Sequence, residues 1–161
     1  MRLPAAIIAA ALLTALTAVS AGGTTSVYRT PPTRGLPTAV YYTEGALKQS
    51  DLDLYMSRVR AAGARYVRVY VGWSTVAPAK RPPNFDPANP ADPAYHWSVP
   101  DQVLKAAAAH GLEPLLTISV APGWAGGRHV SPTQYGLFAR AAARRYSGSF
   151  QDLPRVRYWL A

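Results

Sequence analysis

A strand–helix unit recurs along this chain and constrains its fold more than any other feature. An apolar strand at 39–42 precedes a helix that is predicted to run from Ser50, in a capping box with Asp53, to Gly63. The helix carries apolar residues at the i, i+3, i+4 and i+7 spacing of one buried face. They are Leu52, Tyr55, Met56, Val59 and Ala62.

Two further units follow, each again a strand and a helix. The β-branched strand 66–72 leads to a helix predicted from Ser98 to Gly111, and the strand 113–120 leads to a helix that begins at Ser131. A fourth strand is predicted at 156–161. Alternation of strands and helices indicates a parallel α/β sheet with right-handed crossovers.

The two faces of the middle strands differ in character. One face is aliphatic and carries Val67, Val69, Val71, Leu116, Ile118 and Val120. The other is mixed and carries Arg68, Tyr70, Gly72, Leu115, Thr117 and Ser119. Helices cover both faces of a doubly wound sheet, so both would be aliphatic there, whereas a mixed face suits the interior of a barrel. The pattern favours a (β/α)8 barrel over a flavodoxin-like sheet.

The number of units predicts part of a barrel. A whole (β/α)8 barrel takes about 250 residues, and this chain of 161 residues supplies four strands and three helices. The predicted fold class is therefore α/β, a partial TIM barrel of about the first three βα units plus strand four, over residues 36–161. We expect the chain to be the N-terminal half of a longer barrel.

The first residues indicate an address for export. Residues 1–21 combine Arg2, an uncharged Ala/Leu-rich run and a small-residue end at Ala21, as a secretory signal peptide does. The alternative is an uncleaved membrane anchor. Residues 22–35 are predicted to be a Pro/Gly/Thr-rich linker. The prediction is a secreted protein with no membrane association after cleavage.

Composition narrows the chemistry. The absence of Cys excludes a disulfide scaffold and a thiolate nucleophile. The net charge of +9 is spread over predicted helices, with residues such as Arg58, Arg140 and Arg145, and indicates a solvated basic surface rather than a nucleic-acid site. Three scattered His residues lack zinc spacing, and no cofactor or metal is expected.

Several segments resemble a known family. They are Gly63-Ala-Arg-Tyr-Val-Arg-Val-Tyr-Val-Gly-Trp73, Tyr95-His-Trp-Ser-Val-Pro-Asp101, His110-Gly-Leu-Glu-Pro-Leu-Leu-Thr-Ile-Ser119, Ala121-Pro-Gly-Trp124 and Arg157-Tyr-Trp159. In this order, the region from about Leu36 to Ala161 resembles the N-terminal half of clan A glycoside hydrolases of the family 5, 39 and 42 kind. The resemblance implies a secreted enzyme that hydrolyses O-glycosidic bonds and takes a carbohydrate substrate.

The same resemblance implies where the catalytic carboxylates lie. In that superfamily the acid/base Glu belongs to an Asn-Glu motif at the end of strand four, and the nucleophile Glu ends strand seven. Both positions fall beyond Ala161. No catalytic residue is therefore assigned within the chain, and the 161 residues alone are expected to be inactive.

Five residues are predicted to contact substrate. The family pattern places an Arg near Arg68, where it hydrogen-bonds the nucleophile. Trp73 and Trp124 follow strands two and three and could stack on sugar rings or pack in the core. His129 lies in the loop after strand three, and Glu44 is the one carboxylate near the end of strand one that suits a site.

Other interpretations stay open. One is a non-catalytic secreted module that binds carbohydrate or another partner. Another is an enzyme that uses Glu44 with Asp86 or Asp92, although both Asp residues precede Pro in a turn-rich loop. The remaining carboxylates are interpreted as structural, with Asp51, Asp53 and Asp101 serving as helix caps or dipole partners.

Overall fold

A computed structural model describes residues 37–42 and 48–160. Four parallel strands form one sheet in chain order. They are β1 (Ala39–Tyr42), β2 (Tyr66–Gly72), β3 (Glu113–Ser119) and β4 (Tyr158–Leu160). The predicted signal peptide, the 22–35 linker and Glu44 lie outside the described residues.

Helices connect the strands as predicted, with one addition. They are α1 (Leu52–Ala61), α2 (Trp73–Val76), α3 (Ser98–Ala109) and α4 (Pro132–Arg145). The short α2 was not expected. None of the helices in the described part of the chain has the length and apolar character that a bilayer crossing requires.

The helix starts only partly follow the sequence signals. At α4 the Ser131 hydroxyl oxygen accepts a hydrogen bond from the Gln134 N–H at 3.4 Å, as an N-cap does. The predicted capping box of α1 does not form. Its N-cap is Asp51, whose carboxylate instead accepts a hydrogen bond from Ser50 Oγ at 3.1 Å. Ser50, the predicted N-cap, lies instead in a 3-10 turn at Gln49–Asp51 that precedes the helix.

The sheet has one closed and one open face, as the alternation in the sequence predicted. On the closed face Val67, Val69 and Leu116 are buried beneath the helices. The register aligns the residues of the other face, which we call the inner face. It comprises Tyr41, Tyr66, Arg68, Tyr70, Leu115, Thr117, Tyr158 and Leu160. Apart from Thr117, these side chains are partly or largely exposed, as expected for barrel-interior positions in a half barrel.

Val120 departs from the prediction. The alternation placed it on the aliphatic face after Leu116 and Ile118. Instead β3 ends at Ser119 and Val120 takes a φ of 49°, which turns the chain out of the strand. Its side chain is 70% exposed.

The centre of the core is a stack of three rings. Phe138 of α4 lies between Trp73 and Trp97, with ring centroids 5.0 and 5.6 Å away and interplanar angles of 12° and 5°. Tyr95 and Tyr146 pack at the edges of the stack. This cluster joins the chain segment before α3 to α4, and thereby fixes the loops at the carboxyl end of β2.

Arg145 corrects the prediction of a wholly solvated basic surface. It is 8% exposed and donates hydrogen bonds from Nε to Asp101 Oδ1 at 2.8 Å and from Nη1 to the Pro90 carbonyl at 3.1 Å. Asp101 also accepts a hydrogen bond from the Tyr146 hydroxyl at 3.0 Å. The Asp101 carboxylate therefore binds α4 to α3, and it is not simply a helix cap.

Candidate functional site

Arg68 lies on the inner face at the middle of β2. Its Nε donates a hydrogen bond to Thr117 Oγ1 of β3 at 3.1 Å, and its guanidinium carbon lies 4.9 Å from the Tyr70 ring centre. The alternation of β2 places it on this face because its neighbours Val67 and Val69 are drawn to the helix side. Within the described residues Arg68 forms no ion pair, and it is partly exposed.

Tyrosines surround this arginine. Tyr41 meets Tyr70 edge to face at a centroid distance of 4.9 Å. Towards the amino ends of the strands, Tyr66 and Tyr158 make a second such pair at 5.4 Å. Rings that are arranged in this way offer both flat apolar area and hydroxyl groups. The inner face therefore combines a cation, hydroxyls and aromatic surface.

Trp124 connects two loops at the carboxyl end of the sheet. Its indole Nε1–H donates to the Pro78 carbonyl at 2.8 Å, which ties the loop after β3 to the loop after β2. The Arg81 guanidinium lies 5.7 Å from its ring centre. Trp124 is half-buried, and its ring also meets Trp73 and Phe85 edge to face at centroid distances of 6.0 and 5.8 Å.

The other predicted contact residues differ in burial and location. Trp73 is 1% exposed and stacks on Phe138, so its ring belongs to the core, the alternative that the sequence left open. His129 is exposed in the loop after β3, where its backbone N–H donates to the Gly126 carbonyl at 2.9 Å. Arg68, Trp124 and His129 thus remain candidate contacts, while Glu44 lies outside the described residues.

The carboxylates in the loop after β2 are engaged in local turns. Asp92 accepts hydrogen bonds from the N–H groups of Asp86 and Ala94 at 2.9 Å each. Asp86 accepts one from the Ala88 N–H at 3.0 Å. The bonds to the Ala88 and Ala94 N–H groups, each two residues on, are the Asx turns that Asp before Pro predicts. Both carboxylates therefore have a local structural role.

Other carboxylates form ion pairs away from the inner-face centre. Glu113, at the amino end of β3, forms an ion pair with Arg65 at 2.9 Å. Asp53 is hydrogen-bonded to the His110 imidazole, with Oδ1 and Nε2 2.7 Å apart. Between residues 48 and 160, and in β1, no group of three or more His, Asp or Glu side chains is placed to hold a metal ion.

The buried cluster around Asp101 was missed by sequence reasoning. Burial raises the pKa of the Tyr146 phenol far above its ordinary value, and the Asp101 carboxylate raises it further. Burial lowers the pKa of Arg145, but the hydrogen bonds and charge of Asp101 outweigh this effect and raise it. Asp101 and Arg145 line a surface cavity of about 370 Å³. The raised pKa values keep the Tyr146 phenol neutral and the Arg145 guanidinium charged, which suits a structural hydrogen-bond network.

A second cavity of about 340 Å³ lies at the amino ends of β3 and β4. It is lined by Glu113, Pro114, Arg155, Arg157 and Tyr158 among others. Substrates of parallel barrels bind at the carboxyl ends of the strands. This amino-end cavity is therefore not the candidate site.

The loop that carries His129 depends on Gly126. Its φ is 102°, and a Cβ there would lie 2.2 Å from the His129 carbonyl oxygen. We expect Gly126→Ala to lower the free energy of unfolding by about 2 kcal/mol, because the strain and the clash act together. Urea melting measures this change.

Gly123→Ala is the matched control for that prediction. It lies in the same loop, and a Cβ there meets nothing within 4 Å. We expect its melting curve to stay close to that of the parent chain. Equal effects of the two variants would contradict the assignment of the clash to Gly126.

Comparisons with known proteins show similarity in structure alone. The sequence matches no protein-family profile and no curated protein. The fold is similar to the crystal structure of a beta-galactosidase from the psychrophilic Marinomonas ef1, with a TM-score of 0.53 and 22% identity over 77% of this chain and 21% of that chain. A family 39 glycoside hydrolase from the gut symbiont Bacteroides cellulosilyticus WH2 gives a TM-score of 0.47 and 19% identity over 75% of this chain and 23% of that one.

The first of these similarities establishes the fold. The chain spans about a fifth of the length of the beta-galactosidase, which is 21% covered. The parallel sheet with its helices is part of a TIM barrel, so the fold class predicted from the sequence is confirmed, and the resemblance drawn from the sequence is confirmed for the fold alone.

Proposed function

We propose that this chain is the N-terminal half of a secreted glycoside hydrolase barrel that cleaves O-glycosidic bonds. Its confirmed fold supports the proposal, since solved structures of this shape include a beta-galactosidase. Fold alone does not specify chemistry, so the proposal depends on the inner face. The signal-like residues 1–21 support export.

The observation that carries the proposal is Arg68. It lies between β3 and Tyr70 on the open inner face, with Thr117 as its hydrogen-bond acceptor. A glycosidase needs two carboxyl groups that flank the scissile bond. A cation beside the nucleophile would keep it ionised by lowering its pKa. In the proposed enzyme Arg68 is this positioning residue, and a later segment supplies both carboxylates.

The loops at the carboxyl ends of β2 and β3 would bind the sugar. The half-buried Trp124 would offer indole surface to the C–H face of a pyranose ring. His129 is exposed in the same loop and can hydrogen-bond hydroxyl groups. The pinning of Trp124 to Pro78 holds this surface in place before substrate arrives.

The decisive experiment has a genetic and an enzymatic arm. We expect an Asn-Glu codon pair shortly after codon 161 in the genomic DNA, in frame or nearby in another frame, and no turnover of aryl β-glycosides by the 161-residue chain above buffer. The chain that continues through the remaining strands should turn them over. Its variant Arg68→Met should lose most of that activity, whereas Arg58→Met on the exposed side of α1 should retain it. Turnover by the 161 residues alone, or no Asn-Glu downstream, would overturn the proposal.

A second candidate is a non-catalytic secreted module that binds carbohydrate or another partner. The turn contacts of Asp86 and Asp92 favour it, since they leave the loop after β2 without a free carboxylate pair. This module would melt cooperatively as a monomer and bind sugar. Aggregation or dimerisation of residues 22–161, detected by light scattering during denaturant melting, would instead support the half barrel.

A further inference from the structure

The turn that ends β3 holds a valine in a backbone conformation that valine disfavours. Val120 has a φ of 49°, in the left-handed region. A β-branched residue is a genuine outlier there, because its Cβ crowds the following carbonyl. Backbone strain of this kind persists where the surrounding structure imposes it, and it clusters at binding sites.

The surrounding structure accounts for the turn but not for the valine. The Val120 carbonyl accepts a hydrogen bond from the Ser74 N–H at 2.8 Å. Ser74 lies in the first turn of α2, where N–H groups have no partner within the helix. Glycine would make the same turn and the same hydrogen bond without steric cost.

The side chain does not explain the valine either. Val120 is 70% exposed, which is the highest exposed fraction among the large apolar residues in the described part of the chain. An apolar group in water contributes nothing to folding. Strain in the backbone and exposure of the side chain together indicate that this isopropyl group contacts something outside the described fold.

The position of Val120 identifies the class of that contact. It follows Ser119, which is in register with Gly72 at the carboxyl edge of the sheet. It also precedes Trp124 by one short turn in the same loop. Parallel barrels bind substrate at this edge.

Building on the proposed function, we infer that Val120 is a sugar-contacting residue whose strained turn presents an apolar surface to the C–H face of a pyranose ring. Gln151 and Asp152 also have positive φ values, 45° and 47°. They lie in the exposed loop before β4, at the amino end of the sheet, and Asp tolerates this conformation. The combination of strain, exposed apolar surface and the carboxyl edge occurs at Val120.

Two variants of the full chain test the strain. We expect Val120→Gly and Val120→Asn each to increase the ratio of folded to unfolded protein by about twofold to fivefold in urea melts, because both residues accept positive φ. Val130→Gly is the matched control: Val130 is exposed in the same loop, has an ordinary φ and should become less stable when replaced. Destabilisation of Val120→Gly to the same extent would overturn the inference.

The sugar contact is tested with lactose and cellobiose as probes, by NMR titration of the chain that continues through the remaining strands and of the same variants in it. Val120→Gly should weaken binding at least fivefold, while Val130→Gly should leave it unchanged. Unchanged binding by Val120→Gly, together with loss of binding by Trp124→Ala, would overturn this inference and leave the proposed function standing. Failure of this longer parent chain to bind either sugar would count against both.

Discussion

Replacement of Asp101 by alanine is expected to lower the free energy of unfolding by about 3–5 kcal/mol. The Arg145 side chain is only 10% exposed, and Asp101 is its one carboxylate partner among the described residues, with Nε and Oδ1 2.8 Å apart. Removal of that partner leaves a buried cation unpaired and also frees the Tyr146 hydroxyl. The large cost comes from the desolvated charge that remains, since the intact pair itself contributes little net stability.

Urea denaturation with far-UV circular dichroism measures this loss. The control is Asp53→Ala, which removes the carboxylate of the His110 pair at 2.7 Å, where the Asp53 side chain is 84% exposed. Exposed pairs contribute little because water screens them. A double variant, Asp101→Ala with Arg145→Met, should recover part of the lost stability. If Asp101→Ala melts like Asp53→Ala, the pair is not the connection between α3 and α4.

The sequence could not predict this pair. Asp101 and Arg145 are 44 positions apart in the sequence. The apolar stripe of each helix predicts that helix by itself and gives no sign that the two charged residues meet. Asp101 occupies the first turn of α3, where an acid is favourable to any helix. Arg145 ends α4, where a basic residue is equally ordinary. Only the packing of the two helices brings them together, because the local pattern carries no information on which helices touch.

The strands, in contrast, were predictable because residues of a strand point alternately to the buried and the open face, which gives the sequence an apolar period of two. β2 was located to the residue, since Val67, Val69 and Val71 alternate with Arg68 and Tyr70. The same alternation correctly separated the helix-covered face from the open face. What it could not show is the point at which a strand stops. Val120 continues the pattern of β3, yet its carbonyl is taken by Ser74 of α2, a four-residue helix too short to leave a periodic signal.

Within the candidate site, the sequence predicted only those side-chain orientations that follow from the alternation of faces along a strand. Arg68 was correctly placed on the inner face because a strand leaves two choices. Trp73 and Trp124 both follow strands, and the sequence treats them alike. The structure distinguishes them through Phe138, which stacks on a face of the Trp73 indole and does not stack on Trp124. A loop residue's burial depends on elements that arrive later in the chain, here α4.

Phe138→Ala is expected to lower the free energy of unfolding by about 3–5 kcal/mol, because it removes the middle ring of the stack and leaves a cavity between two indoles. Phe138 is fully buried, and its contacts with Trp73 and Trp97 connect α4 to both ends of the segment between β2 and α3. Since those loops carry the proposed sugar contacts, the variant should also weaken lactose or cellobiose binding in the part of the population that stays folded.

Tryptophan fluorescence during urea melting reports on the stack directly. Phe138→Leu is the control, since it keeps most of the volume and should cost less than the alanine variant. Phe150→Ala is a second control at a half-buried ring outside the stack. A small loss for Phe138→Ala, together with an unchanged fluorescence maximum, would mean that Trp73 and Trp97 do not need this ring. Trp73 would then be held in the core by its remaining ring contacts, which are with Trp124 and Tyr135.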